Sequence, residues 1–141
     1  MKITTLTLLL QIAAIFHLGL MCAGLLMPGA VKLRTHLATL PPFIRQLYWV
    51  YYSFIGFSLL SFGLLTFTFA ETLAAGSNLA RAVCAFLAVF WTIRLFAATF
   101  VFDVRPYLTN NLWRLGYQAT NIAFIYLPVI YLLAAWKGAT P

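Results

Sequence analysis

The chain has 141 residues, of which 64% are hydrophobic and 8% are charged, and nine Lys or Arg residues outnumber two Asp or Glu residues. This composition excludes an ordinary soluble domain, whose water-facing surface needs many more polar side chains. The basic residues lie mostly between apolar runs, so the net charge of +7 indicates anionic membrane headgroups as the partner. Nucleic acid is not expected, because a nucleic-acid binder clusters its basic residues on a soluble face.

Four apolar runs are long enough to cross a bilayer, which takes about 20 residues as a helix. They span Thr5 to Pro28, Gln46 to Ala70, Leu79 to Phe102 and Leu115 to Trp136. The sequence therefore predicts an all-α fold, an integral membrane four-helix bundle that forms a single domain over residues 1–141. For the first run, the alternative of a signal peptide with Lys2 as its charged region is disfavoured, because "CAG" is a poor cleavage site.

The segment from residue 29 to 42 predicts a short amphipathic helix on the membrane surface. Leu33, Leu37 and Leu40 recur at helical spacing, and basic or polar residues fill much of the remaining surface. Pro41 and Pro42 should end this helix, because proline lacks a backbone N–H and restricts the residue before it. The second span should then begin at Gln46.

The distribution of basic residues predicts the orientation of the chain. The first and third connections carry five Lys or Arg residues, whereas the two termini and the second connection carry three. The positive-inside rule then places both termini outside the cytoplasm. A bacterial inner membrane is the expected location.

Two ionisable residues lie deep within predicted spans and form the main candidate site. His17 is near the middle of the first span, and Arg94 lies inside the third span, in "AVFWTIRLFAATFVFD". A central arginine costs about 2.5 to 3.5 kcal/mol on insertion and usually faces a bundle interior or a cavity. We expect His17 and Arg94 to line an intramembrane pocket, with Gln118 and Asn121, which share a face of the fourth span, at its cytoplasmic side. The alternatives are snorkelling of Arg94 to the headgroups and polar contacts that only fix helix packing.

Such a pocket suits a quinone or a bound lipid, because the planar guanidinium donates to carbonyl or anionic oxygens. The sequence contains no catalytic residue pattern and no metal-ligand pattern, so it favours a role other than catalysis while leaving an enzyme possible. A haem held by two histidines is excluded, because only His17 is deep in a span. Cys22 and Cys84 lie in opposite halves of their spans, so no disulfide between them is expected.

The order of the parts resembles the DoxX-like group of small four-helix bacterial inner-membrane proteins. It consists of a first span, a surface segment ending in "HLATLPP", a glycine-bearing second span and two further spans. The resemblance implies an inner-membrane location and, for some members, association with respiratory or quinone-linked complexes. The second span lacks the acidic residue that the resemblance implies, so no site residue is assigned from it.

Two functions follow from these observations. The sequence favours an accessory or scaffold subunit of a larger membrane complex, which would contact the lipid bilayer and either other integral membrane subunits or further copies of itself. The alternative is a protein that binds or handles quinone or lipid through His17 and Arg94.

Overall fold

The structure is a computed structural model that describes residues 2–103, 106 and 110–137. The described residues form helices and no strands, which confirms the all-α prediction. The helices are α1 (Ile3–Ala30), α2 (Leu33–Ala38), α3 (Pro42–Thr68), α4 (Ala70–Ala75), α5 (Asn78–Phe100) and α6 (Asn111–Lys137). Four of these, α1, α3, α5 and α6, are long and apolar enough to cross a membrane.

The long helices form an antiparallel bundle. The start of α3 lies beside the end of α1, where the Tyr52 hydroxyl donates a hydrogen bond to the carbonyl of Gly24. In the same sense, Arg81 near the start of α5 donates to the carbonyl of Ala135 near the end of α6, over 3.1 Å. α1 packs against α3 and α6, and α6 packs against α5. As a result, the end of α1 and the end of α5 lie at the same end of the bundle.

The first connection contains a six-residue helix, α2, inside the predicted segment. Lys32 adopts a left-handed conformation with φ of 49° and turns the chain out of α1. Leu37 is buried, whereas Arg34 and His36 are exposed. The helix is therefore present, and its position on a membrane surface stays a prediction.

The helix α3 begins at Pro42, four residues before the predicted start of the second span. Pro42 occupies the first turn of the helix, with Pro41 as the preceding cap residue. A proline is well suited to that position, because its missing N–H has no partner inside a helix and its fixed φ already matches the helix. The two prolines separate α2 from α3 and also begin α3.

The second connection, for which the sequence "ETLAAGSN" predicts a short turn, contains the short helix α4. Its residues Leu73 and Ala74 are buried, and the helix packs against α1. Gly76 ends it with φ of 75°, a left-handed conformation that glycine adopts without steric cost. The Ser77 hydroxyl then caps α5 by accepting a hydrogen bond from the backbone N–H of Ala80. Half of the third connection, residues 101–110, lies outside the described residues, including Arg105 and Tyr107.

Candidate functional site

His17 lies at the centre of the bundle and is fully buried. Its Nδ1 is 2.8 Å from the carbonyl oxygen of Ala13, and its Nε2 is 3.1 Å from the indole nitrogen of Trp91 on α5. An indole nitrogen can only donate, so Nε2 accepts and Nδ1 carries the proton that is donated to Ala13. Both nitrogens of a neutral imidazole are therefore engaged within the bundle.

The other long helices also pack around the His17 ring. Trp91 and Tyr131 place their ring centroids 5.1 Å and 6.0 Å from it, both in edge-on geometry. On α3, a Cβ added to Gly63 would lie 3.1 Å from the Cβ of His17, so only glycine lets α3 approach this closely. His17 thus contacts residues of all three other long helices. A ligand could use His17 only after the Trp91 hydrogen bond opens.

A second buried hydrogen bond joins two other helices. The hydroxyls of Thr66 on α3 and Tyr131 on α6 are 2.6 Å apart, and both side chains are fully buried. Among the described residues, every buried side-chain nitrogen and oxygen has a hydrogen-bond partner. The polar groups in the centre of the bundle are therefore satisfied by one another, as low-dielectric burial requires.

Arg94 occupies a different environment from His17, on the outer surface of α5. Its side chain is exposed, and its guanidinium carbon lies 5.0 Å from the ring centroid of Phe124 and 5.4 Å from that of Phe102. These distances are within the range of a cation–π interaction. At a rise of 1.5 Å per residue, Arg94 lies about 9 Å before the end of α5. Within the described residues, its N–H groups have no protein acceptor.

A groove of about 670 Å³ lies between the second half of α5 and the first half of α6. The groove contains both predicted amide residues, Gln118 and Asn121, three positions apart on α6. Its walls combine apolar side chains with amide, hydroxyl and carboxylate groups. The lining residues are Leu95, Ala98, Thr99, Phe100, Val101, Phe102, Asp103, Tyr117, Gln118, Asn121 and Ile125.

Phe102 connects Arg94 to this groove, because the ring of Phe102 both lines the groove and lies beneath the guanidinium. The structure thus brings Arg94 to the edge of a site that contains Gln118 and Asn121. His17 is not part of this site. His17 bonds to Trp91, whose ring lies 6.0 Å from the ring of Phe124. The guanidinium of Arg94 lies over the other aromatic ring, that of Phe124. Two aromatic rings therefore separate His17 from Arg94.

Sequence reasoning missed the partners of both ionisable residues. A tryptophan in the middle of a span needs an acceptor for its indole N–H when it is buried, and Trp91 carried that signal. The ring contacts of Arg94 with Phe102 and Phe124 had no comparable signal, because phenylalanine is common throughout the chain.

The described residues contain no group of three or more His, Cys, Asp or Glu side chains that could hold a metal ion. Cys22 and Cys84 are both free, as expected from their positions. The chemistry that the groove offers is hydrogen bonding from amide and hydroxyl groups beside an arginine, against apolar walls. That combination can bind a molecule that has a polar head and an apolar body.

Comparison of the chain with protein-family models, with curated proteins and with solved structures gives no match. The DoxX-like resemblance therefore stays a prediction from the order of the spans.

Proposed function

We propose that this protein is an integral membrane protein that binds the polar head of an amphiphilic molecule, a quinone or a lipid, in the groove between α5 and α6. The observation that carries the proposal is the position of Arg94. Its exposed guanidinium lies over Phe124 and Phe102 at the edge of a groove that contains Gln118 and Asn121. Binding, and not a chemical transformation, is the proposed activity.

The energetic argument begins with the depth of Arg94. An arginine about 9 Å inside an apolar helix is costly in hydrocarbon, and snorkelling toward the headgroups lowers that cost only in part. The two aromatic rings contribute a cation–π interaction but accept no conventional hydrogen bonds. An oxygen of a bound headgroup or quinone would accept from the guanidinium fork, which makes Arg94 favourable at this depth.

The groove supplies the remaining requirements of an amphiphile. Gln118, Asn121 and Thr99 provide polar groups for the head, while Leu95 and Ile125 provide apolar walls. Its volume of about 670 Å³ lies within the range of about 300 to 1,000 Å³ that is usual for small-molecule sites. An apolar tail would follow the outer surfaces of α5 and α6 into the bilayer.

The proposed membrane arrangement follows from the charges at the two ends of the bundle. The end of the bundle that contains the groove also carries four basic residues: Lys32, Arg34, Arg45 and Arg114. We propose that this end is cytoplasmic, that both termini are outside, and that α2 lies in the membrane surface with Leu37 inward. A bacterial inner membrane suits this arrangement.

A second candidate function is that of an accessory or scaffold subunit in a larger membrane complex, supported by the packing of α3. Only Gly63 and Thr66 of this helix are buried. Its outward surface carries several large exposed aromatic residues: Phe43, Tyr51, Phe54, Phe57 and Phe67. Another integral membrane subunit or a second copy of the chain would bury this surface, whereas lipid would cover it in a protein that acts alone.

Native mass spectrometry after gentle detergent extraction from the native membrane tests both candidates. The wild-type protein should retain one quinone or lipid of defined mass, and Arg94→Leu should lose it while its unfolding midpoint stays similar. Ile93→Ala, an adjacent exposed position on α5, serves as the control and should keep the ligand. Unchanged retention by Arg94→Leu would contradict the groove proposal, and stoichiometric extraction with other subunits would support the accessory role.

A further inference from the structure

A second concave site lies at the junction of α2 and α3, separate from the groove. Arg34 on α2 and Arg45 and Trp49 on α3 line a pocket of about 310 Å³, together with Leu37 and Ala38. Two arginine side chains and a tryptophan side chain therefore line the same small space. The proposed function of the groove does not use any of these residues.

The local fold explains why the two arginines line the same pocket. The left-handed turn at Lys32 directs α2 away from α1, and burial of Leu37 holds α2 against the bundle. Pro41 and Pro42 then start α3 directly after α2, and the Arg45 backbone N–H bonds to the carbonyl of Pro41 in the first turn. The short connection fixes Arg34 on one side of the pocket.

The charges in this pocket are not balanced within the described residues. The chain has only two acidic residues; Glu71 is on α4 at the opposite end of the bundle, and Asp103 lines the groove beside α5. The side chains of Arg34 and Arg45 form no hydrogen bond or ion pair with another described residue. Two like charges that face one concave space repel each other, and an anion between them would convert that repulsion into attraction.

We propose that Arg34 and Arg45 bind one phosphate group in this pocket. The planar guanidinium forks can each donate two N–H groups to phosphate oxygens, and phosphate bears the charge that the pocket lacks. Trp49 supplies an amphipathic ring beside the site, which suits the boundary between headgroups and hydrocarbon. The phosphate can belong to a phospholipid headgroup or to a soluble phosphate compound, and these two sources share the same recognition chemistry.

Isothermal titration calorimetry on the delipidated full chain in a neutral detergent tests the site. The two probes are short-chain phosphatidylglycerol and inorganic phosphate. We expect saturable binding of one molecule per chain, weakened by about tenfold or more in Arg34→Gln and in Arg45→Gln, since each loses a charge-assisted contact. Binding of phosphatidylglycerol alone identifies a lipid as the source, and binding of both probes identifies the phosphate group itself as sufficient.

Two controls keep this test decisive. Arg114→Gln removes the same charge at the same end of the bundle but outside the pocket, and we expect it to change affinity by less than about twofold because exposed charges are screened by salt. Arg34→Lys and Arg45→Lys keep the charge and lose the fork, so they should weaken binding even if a glutamine variant unfolds. Equal weakening by Arg114→Gln, or no saturable binding of either probe, would overturn the proposal.

Discussion

The indole N–H of Trp91 donates a hydrogen bond to Nε2 of His17 over 3.1 Å, which joins the middle of α5 to the middle of α1. The other ring nitrogen of His17 bonds to the carbonyl of Ala13 on its own helix. These two hydrogen bonds explain how His17, an ionisable residue deep in the bundle, is satisfied by contacts within the protein. Arg94 lies about one helical turn beyond Trp91 and, unlike His17, faces outward from the bundle.

Trp91→Phe should lower the free energy of unfolding by about 1 to 3 kcal/mol. The change leaves Nε2 of the buried His17 without a donor and also removes part of a fully buried ring. Denaturant titration of the purified protein in detergent measures this effect. The control is Trp136→Phe, at a position that is 76% exposed, where we expect a change within about 0.5 kcal/mol. Similar values for both variants would argue against the His17–Trp91 bond.

Gly63→Ala should destabilise the protein by about 1 kcal/mol, because the added Cβ would lie 3.1 Å from the Cβ of His17 and force α1 and α3 apart. The control is Gly56→Ala on the same helix, where an added Cβ has no neighbour within 4 Å. That change should be neutral or stabilising, since alanine favours a helix by up to about 1 kcal/mol over glycine. If Gly63→Ala were as stable as Gly56→Ala, α1 and α3 would not approach as described.

The hydrogen bond between Thr66 and Tyr131 predicts a measurable coupling between α3 and α6. In a double-mutant cycle of Thr66→Val and Tyr131→Phe, we expect a coupling energy of about 0.6 to 1.7 kcal/mol, from the average to the largest value typical of such bonds between membrane helices. The losses of stability in the two single variants should therefore add up to more than the loss in the double variant, and the difference is the coupling energy. A coupling energy near zero would mean that the two hydroxyls do not share a bond.

The proposed orientation predicts where reporters function. A periplasmic enzyme fused after Lys137 should be active, and a fluorescent protein that folds only in the cytoplasm should be dark there. The same two reporters inserted after Thr39, between α2 and α3, should give the opposite result. Fluorescence of the C-terminal fusion would contradict the proposed orientation, because it would put the C-terminus in the cytoplasm and the groove on the outer side of the membrane.

The positions of the spans could be predicted from the sequence, because hydropathy and length are strong constraints for a helix in a bilayer. All four long helices overlap the predicted spans, and the ends differ by up to four residues. The largest differences, of four residues each, are at two helix starts: α3 begins at Pro42 where the prediction began at Gln46, and α6 begins at Asn111 where the prediction began at Leu115. The helix α4 was missed since "ETLAAGSN" has the composition of a turn, and only packing on α1 makes Leu73 and Ala74 a buried surface.

The candidate site was predictable only in part. Gln118 and Asn121 share one groove because a spacing of three residues puts them on one helix face, which the sequence alone specifies. The sequence pairs His17 with Arg94 because both residues lie deep within their spans, but depth does not specify how each helix is rotated about its own axis. That rotation turns Trp91 toward His17 and leaves Arg94 on the outside, and it is fixed by packing over the whole bundle.

The groove proposal is tested most directly by a photoreactive benzoylphenylalanine placed at either of two positions on α6. Ile125 lines the groove and Ile122 does not, yet the two are similarly exposed at 56% and 59%. Irradiation in native membranes followed by mass analysis should give one small molecule of defined mass at position 125 and a mixture of bulk lipids at position 122. The same mixture at both positions would contradict a specific amphiphile site between α5 and α6.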